Sequence, residues 1–272
     1  MLNDTTIAFI GGGNMAAAMI HGLLAAGSAP ERIRVAEPDP DRREALTRQY
    51  PVAIMADNPA VVPGAQALVI AVKPGKVVGV LGELGPLLAP ETLVLSIAAG
   101  VSLAQLQQNL RADQPLVRVM PNTPALIGAG IAALLPCAHL SPAHRLLARQ
   151  IMASTGDVVE VEEESWMDGI TALSGSGPAY LFLMAEALSD GGVACGLPRA
   201  LADRLAVKTL IGAARLIDES GQHPAVLKNQ VTSPGGTTIA GLVQLESAGV
   251  RGALIAAVQA AWHRSQALSA GH

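Results

Sequence analysis

The sequence predicts two domains of different class: an N-terminal α/β domain carrying a parallel, doubly wound sheet, and an all-α C-terminal domain that begins near residue 164. Three observations predict this. Short β-branched runs alternate with helical patterns through the first part of the chain, as β-α-β units do. After the acidic run Glu160, Glu162, Glu163, Glu164 there is no convincing strand, and apolar residues recur at helical spacing instead. Half of the 272 residues are hydrophobic but only two Phe, two Tyr and two Trp are present, so the core must be built from Ala, Val, Leu and Ile. Such a core suits closely packed helices and α/β layers, and the length suffices for two domains.

Residues 6–10, with Ile7, Phe9 and Ile10, read as the first strand, and residues 14–26 as the helix after it. Residues 32–36 make a second strand and 41–50 a second helix. Further strands are expected at 67–72, 92–97, 116–120 and 131–135. A helix over 141–154 leads to a last strand at 157–161. In the second domain helical spacing covers 179–188, 200–216, 238–245 and 252–268, with Pro178, Pro198, Pro224 and Pro234 at breaks or first turns.

The formal charge of −4 is mild and no basic stripe is present, so neither a nucleic-acid partner nor an electrostatic membrane role is expected. The most apolar stretches are broken by Pro, Gly or charge well short of a membrane span. Cys137 and Cys195 lie far apart with no CxxC pattern, which reads as free thiols in a reduced compartment. The histidines (His21, His139, His144, His223, His263, His272) form no metal-ligand spacing, and no metal is expected. With no signal-peptide layout, the expected location is the cytoplasm.

Ile7-Ala8-Phe9-Ile10-Gly11-Gly12-Gly13-Asn14-Met15-Ala16 follows the first strand and opens the first helix, fitting G-x-G-x-x-A at Gly11, Gly13 and Ala16. Gly11 permits the turn, Gly13 the close approach of a pyrophosphate, and Ala16 close helix–strand packing. The string alone is weak. At the start of a β-α-β unit it marks a dinucleotide site and a Rossmann domain, the alternative being a plain strand-to-helix turn. The second strand ends at Ala36-Glu37-Pro38-Asp39. An acidic residue there binds a ribose hydroxyl pair and favours NAD, whereas Arg42 and Arg43 offer pairing to a 2′-phosphate. Glu37 reads equally as an ordinary solvated residue, and the choice of nucleotide stays open. Ala71-Val72-Lys73-Pro74 and Ala98-Ala99-Gly100 lie at carboxyl ends of strands, the crevice positions where ligands bind. Small residues there let a nicotinamide ribose lie against the backbone, while Lys73 reads equally as a solvated loop lysine.

Val231-Thr232-Ser233-Pro234-Gly235-Gly236-Thr237-Thr238 is a second glycine turn, feeding a helix through Ile239, Leu242 and Leu245. Its glycines let backbone N–H groups face a ligand closely. A helix N-terminus adds unpaired donors and positive dipole, which together seat a small anion.

With Met120-Pro121-Asn122-Thr123-Pro124 and Leu173-Ser174-Gly175-Ser176-Gly177-Pro178-Ala179-Tyr180, these motifs make the chain resemble the pyrroline-5-carboxylate reductases over nearly its whole length. The strongest match runs from Pro224 through Lys228 and Val231 to Ser233–Thr238. The resemblance implies an α/β N-terminal Rossmann domain (1–163) followed by an all-α C-terminal substrate-binding and dimerisation domain (164–272). It implies hydride transfer from NADPH, with NADH as the alternative, to C5 of 1-pyrroline-5-carboxylate, giving L-proline. It further implies a homodimer, in this family often assembled into a decamer.

Residue by residue, the resemblance assigns Gly11, Gly12, Gly13, Asn14, Met15, Ala36 and Pro38 to the nucleotide. To these it adds Asn58, Ala71, Val72, Lys73, Pro74, Ala98, Ala99, Gly100, Met120, Pro121 and Asn122. By sequence alone Asn58 reads as the N-cap of a helix starting at Pro59. The substrate falls to Glu164, Ser176, Gly177, Ser233, Gly235, Gly236, Thr237 and Thr238. The N–H groups of Gly236, Thr237 and Thr238 suit the carboxylate. The Thr238 hydroxyl suits the imine nitrogen and is the catalytic assignment, acting by positioning because it is too weak an acid to drive the step. Glu164 either favours the iminium or is a solvated member of the acidic run. Ser174–Gly177 either line the pocket or let two helices cross. Lys228 reads as structural. Glu37 and Asp39 depart from the Ser or Thr of many relatives, and Gln230 from the Asn of some.

Two other readings compete. A β-hydroxyacid dehydrogenase shares the two-domain plan but needs a lysine on the first helix of the second domain, and residues 176–188 hold none. A non-catalytic nucleotide sensor would keep Gly11–Ala16 but has no use for Ser233–Thr238.

Overall fold

The computed structural model describes residues 2–269; the end of the expected 164–272 domain, His272 included, lies outside the described residues. By compactness the chain falls into two units. The first is the chain up to Ser176 together with the chain from Ala261 on, and the second is Gly177–Ala260.

The first unit alternates β1 (Ile7–Ile10), α1 (Asn14–Ala25), β2 (Ile33–Ala36), α2 (Pro40–Gln49), β3 (Ala53–Met55), β4 (Ala67–Ile70) and α3 (Pro74–Leu84). It continues with β5 (Leu93–Ser96), α4 (Leu103–Gln107), β6 (Leu116–Met120), β7 (Gly130–Pro136), α5 (Pro142–Ala153), β8 (Gly156–Glu160) and α6 (Trp166–Ile170). All eight strands form one sheet in the order β3-β2-β1-β4-β5-β6-β7-β8. The runs IAFI, ALVI and LVLS of β1, β4 and β5 are buried at every position, as strands covered on both faces must be. The chain reverses its direction of travel across the sheet at β1, which pairs with β2 on one side and β4 on the other. That switch point opens the crevice beyond the strands' carboxyl ends.

The sheet is parallel only through β6. Contrary to the all-parallel expectation, β7 runs antiparallel to β6, and β8 then runs parallel to β7. Chain length explains it. The link out of β6 is a 3-10 turn, Thr123–Ile127, stopped by Gly128 at φ 71°. A parallel return needs about a dozen residues or more, and the chain turns back sooner. The three-residue edge strand β3 and the helix α3 were not expected. Gly75, Gly79 and Gly82 dilute the helical signal of α3, each costing about 1 kcal/mol against Ala, yet Val77, Leu81 and Leu84 bury one face of it. Asn58 does not cap a helix. Only a 3-10 turn, Pro59–Val61, follows it, and its own backbone is already helical where a cap is extended. Its amide instead donates to Glu83 Oε2 at 3.1 Å.

The second unit holds α7 (Gly177–Ala194), α8 (Arg199–Ser220), α9 (Pro224–Gln230), α10 (Thr237–Ser247) and the first half of α11 (Val250–Ser269). α7 and α8 form a hairpin around Gly196, at φ 90°. Arg199 ties it by pairing with Asp190 at 2.7 Å. A Cβ on Gly192 would stand 3.1 Å from Ala202 Cβ, so the glycine sets how closely these helices approach. By compactness the first unit runs on to Ser176, and Val161 and Met167 cluster with Ala133 and Leu135 of the sheet. Among the described residues no single helix is long and apolar enough to cross a membrane; α10 and α11 pass that test only as a pair, bent by 50°.

Candidate active site

In the first unit the glycine turn sits at the switch point. Gly11 N–H donates to Ala36 O at 2.8 Å, which continues the β1–β2 ladder into the turn. Gly11 has φ 94°, and a Cβ there would lie 2.7 Å from Ala71 O. Gly12 is buried, and a Cβ on it would collide with the Leu46 methyl. Gly13 caps α1 in extended conformation with no side-chain cap, so the first N–H groups of α1 face outward. Asn14 is exposed, Met15 half-buried and Ala16 fully buried against the sheet. Bare backbone at a helix N-terminus, where any Cβ would fill the space, fits the diphosphate of a dinucleotide.

The other expected nucleotide residues line the same edge of the sheet. Ala71 N–H donates to Ile10 O at 2.8 Å and Ile97 N–H to Ile70 O at 3.1 Å, so Ala71-Val72 and Ala98-Ala99 leave adjacent strands at one level. Lys73 is exposed and caps α3, with Pro74 as its first residue. Gly100, at φ 72°, is buried under Leu268 of α11. Met120 ends β6; Pro121 is buried behind it. Asn122 Oδ1 accepts the Ile131 N–H at 2.9 Å and so fixes the turn into β7. Ala36 is buried and Pro38 exposed. Asn58 is held on Glu83, as described.

Glu37 is not a solvated surface residue. It is 6% exposed, and its carboxylate accepts the Gly12 N–H at 2.8 Å and the Asp39 N–H at 3.0 Å. Arg43 donates to the carbonyls of Glu37 (2.9 Å) and Pro38 (2.7 Å).

Glu164 is likewise engaged. Its Oε1 accepts Arg118 Nη1 at 2.9 Å and the Leu103 N–H at 2.7 Å, the first amide of α4. Arg118 is buried in β6, and this pairing was not anticipated. The signal was present: an arginine inside the apolar run LVRVM demands an acidic partner. Asp168 was also missed; it accepts Ser265 at 2.6 Å and Ser269 at 3.2 Å, docking the end of α11 beside Gly100. After α6 the chain widens into a π turn, Thr171–Gly175, closed by Ser176 N–H to Thr171 O at 2.9 Å. Such insertions recur at functional sites. Ser176 ends it and Gly177 begins α7, both half-buried. A Cβ on Gly175 would run into Met120 Cε.

In the second unit the Ser233–Thr238 turn has the expected form. Gly235 is left-handed at φ 67°. Gly236 caps α10 in extended conformation with no side-chain cap. A Cβ on Gly236 would collide with Ser233 Oγ. Thr238 is half-buried, while Ser233, Gly235 and Thr237 are exposed. A hollow of about 340 Å³ adjoins, bounded by Gly235, Gly236, Ile239 and Val243. Glu246, at the far end of α10, is held below the ordinary carboxylate range, first by the hydrogen bond from Arg251; the charge of Lys228 acts in the same sense.

The helical half matches a family model for pyrroline-5-carboxylate reductase dimerisation over residues 164–268. Residues 6–100 match a model for NADP oxidoreductases that are coenzyme F420-dependent. A pyrroline-5-carboxylate reductase from Synechocystis is 48% identical over 263 residues, covering 96% of this chain and 97% of that protein. The chain belongs to the pyrroline-5-carboxylate reductase family. The solved reductase of Coxiella burnetii superposes with a TM-score of 0.92 at 38% identity, over 98% of this chain and 99% of that one. That of Plasmodium falciparum, solved with NADP bound, superposes at 0.89 with 31% identity, over 99% and 100%. The chain is therefore an NAD(P)H-dependent oxidoreductase with a Rossmann domain and a helical domain of the reductase's dimerisation type.

Proposed function

We propose that this reductase converts 1-pyrroline-5-carboxylate to L-proline, the last step of proline biosynthesis, as a cytoplasmic homodimer that assembles further into a decamer. The carrying observation is the bare start of α10: a left-handed Gly235, an extended Gly236 and no side-chain cap, which leaves N–H donors for an anion. The N–H groups of Thr237 and Thr238 hold the substrate carboxylate, while the Gly236 N–H closes the turn on Ser233 O at 3.2 Å, and Ser233 and Gly235 shape that turn. The Thr238 hydroxyl hydrogen-bonds the ring nitrogen. The nicotinamide supplies the hydride that ends on C5, and the protonated imine becomes the secondary amine. Thr238 orients this ring but is too weak an acid to supply the proton, so its work is positioning. Glu164 holds Arg118 and the start of α4, and its place in the substrate set rests on the family motif. Ser176 and Gly177 complete the substrate set on the family motif.

Assembly is supported by the surface of α7. Leu181, Phe182 and Leu183 are 55%, 68% and 66% exposed. Three consecutive large apolar side chains on a helix need a partner surface. A hollow of about 600 Å³ lined by Tyr180, Leu183, Met184, Leu210 and Leu254 offers one. Both thiols are free, in keeping with a reduced compartment.

The lysine expected of a β-hydroxyacid dehydrogenase is absent from α7. The test is nucleotide oxidation by the full chain, with NADH and NADPH run in parallel. Oxidation is expected only when pyrroline-5-carboxylate is added, and proline or an analogue inhibits. No activity with either nucleotide refutes the proposal. Thr238→Ala is expected to lower kcat/KM about tenfold, the worth of one hydrogen bond to a charged group, with nucleotide affinity intact. Unchanged kinetics removes Thr238 from the site.

A further inference from the structure

The end of β2 carries a buried carboxylate that the reduction itself does not use. Glu37 lies beneath the nucleotide turn, 6% exposed. Both of its oxygens are held by backbone: Oε2 by the Gly12 N–H at 2.8 Å and Oε1 by the Asp39 N–H at 3.0 Å. A side chain held at both oxygens cannot swing aside to make room for an anion. Each oxygen keeps a second lone pair, so the group can still accept hydroxyls. This is the position from which a Rossmann turn reads the adenosine ribose.

Neither neighbouring arginine hydrogen-bonds that carboxylate, whose partners are backbone amides. Arg43 turns its Nη1 to the carbonyls of Glu37 and Pro38, which ties the turn to α2. Arg42 Nη1 stands 3.9 Å from the place of a Cβ on Gly13. There it faces the N-terminus of α1, where the diphosphate common to both nucleotides binds. Asp39 and Asp41 add two further carboxylates on the same turn.

We infer that Glu37 makes this enzyme select NADH over NADPH, by accepting the ribose hydroxyls and repelling a 2′-phosphate. The inference rests on the reductase reading above only for the use made of the nucleotide. A phosphate dianion set against a fixed carboxylate is a like-charge contact and is disfavoured. A Ser or Thr at the same place imposes no such cost.

The test is binding. The full-length chain contains Trp166 and Trp262, so titration with NADH and with NADPH can be followed by nucleotide and tryptophan fluorescence. The wild-type chain is expected to bind NADH at least about tenfold more tightly than NADPH. Glu37→Gln keeps an acceptor for the Gly12 N–H but removes the charge, and is expected to move the ratio of the two dissociation constants toward NADPH by about tenfold. Arg42→Ala is expected to weaken both nucleotides with the ratio unchanged. Wild-type binding of NADPH as tight as NADH overturns the inference, even where the variants fail to fold. So does an unchanged ratio in folded Glu37→Gln, or a ratio shifted toward NADH in Arg42→Ala, which would show Arg42 reading the 2′-phosphate. If NADH binds as expected but pyrroline-5-carboxylate is not reduced, the selectivity stands and the reductase reading falls. If the imine is reduced by a chain that binds NADPH more tightly, the reverse holds.

Discussion

Glu164→Ala separates an anchoring role for this carboxylate from a purely substrate-facing one. In the structure Glu164 Oε1 meets Arg118 at 2.9 Å and the Leu103 amide at 2.7 Å. The Arg118 side chain is 5% exposed and that of Glu164 39%. Breaking a fully buried pair costs about 3–5 kcal/mol, since it strands a charge away from water. An exposed pair is worth about 0–1 kcal/mol. With one partner buried and the other more than a third exposed, solvent screens part of the loss, and about 2 kcal/mol is expected. For a chain of this size that lowers Tm by about 4–8 °C. The assay is thermal unfolding followed by circular dichroism, with an Arg118→Met arm to complete a double-mutant cycle. Methionine leaves no stranded charge, so the double variant should be more stable than the two single losses added together. A Glu164→Ala chain that melts within about 1 °C of wild type, or strictly additive losses, refutes the anchoring argument. A raised KM without a change in Tm would then leave Glu164 with the substrate alone.

Gly11→Ala is expected to abolish nucleotide binding and to cost more than the roughly 1–3 kcal/mol of a strained backbone, because φ is 94° and the new methyl would stand 2.7 Å from Ala71 O; retained NADH fluorescence enhancement would contradict this. Tyr50 is buried, and burial raises its phenol above the ordinary value of 10.0. The fold therefore favours the neutral phenol: its contribution is complete below pH 10 and is lost as pH rises through the higher folded-state value. Tyr50→Phe should flatten the decline in urea midpoint above about pH 10, and an unaltered slope would show that Tyr50 does not titrate with unfolding.

The parts of the fold legible in the sequence are those where one local rule acts alone. IAFI, ALVI and LVLS read as strands because burial on both faces removes alternation and leaves continuous apolar runs. The long helices α7 and α8 read from spacing and from the prolines at their starts. What escaped depends on partners distant in sequence. The sense of β7 is set by the length of the link before it, not by its residues. Glu164 joins Arg118 across 46 positions, and Asp168 joins Ser265 across 97. Nothing in EEES announces which carboxylate is taken inward. The glycine turns were legible because glycine is demanded by backbone geometry, and Gly11 and Gly235 are indeed left-handed.

The acidic residues at the end of β2 show the limit of reading chemistry from residue type. As letters, Glu37, Asp39, Arg42 and Arg43 are two acids and two bases, and they argue equally for either nucleotide. Their connections break the tie. Glu37 is fixed by the turn it underlies, Arg43 Nη1 holds two carbonyls of that turn, and Asp39 accepts the Arg42 N–H at 2.9 Å to start α2. Three of the four side chains therefore help build the turn, and of these only Glu37 is buried with both carboxylate oxygens on backbone amides. The same reasoning applies at α10. There no side chain caps the helix, and the proposed carboxylate site rests on that bare start rather than on a charged residue. As proposed, the nucleotide is sorted by an anchored charge and the imine carboxylate is held by bare backbone. A single substitution at Glu37 should change the first without altering the second.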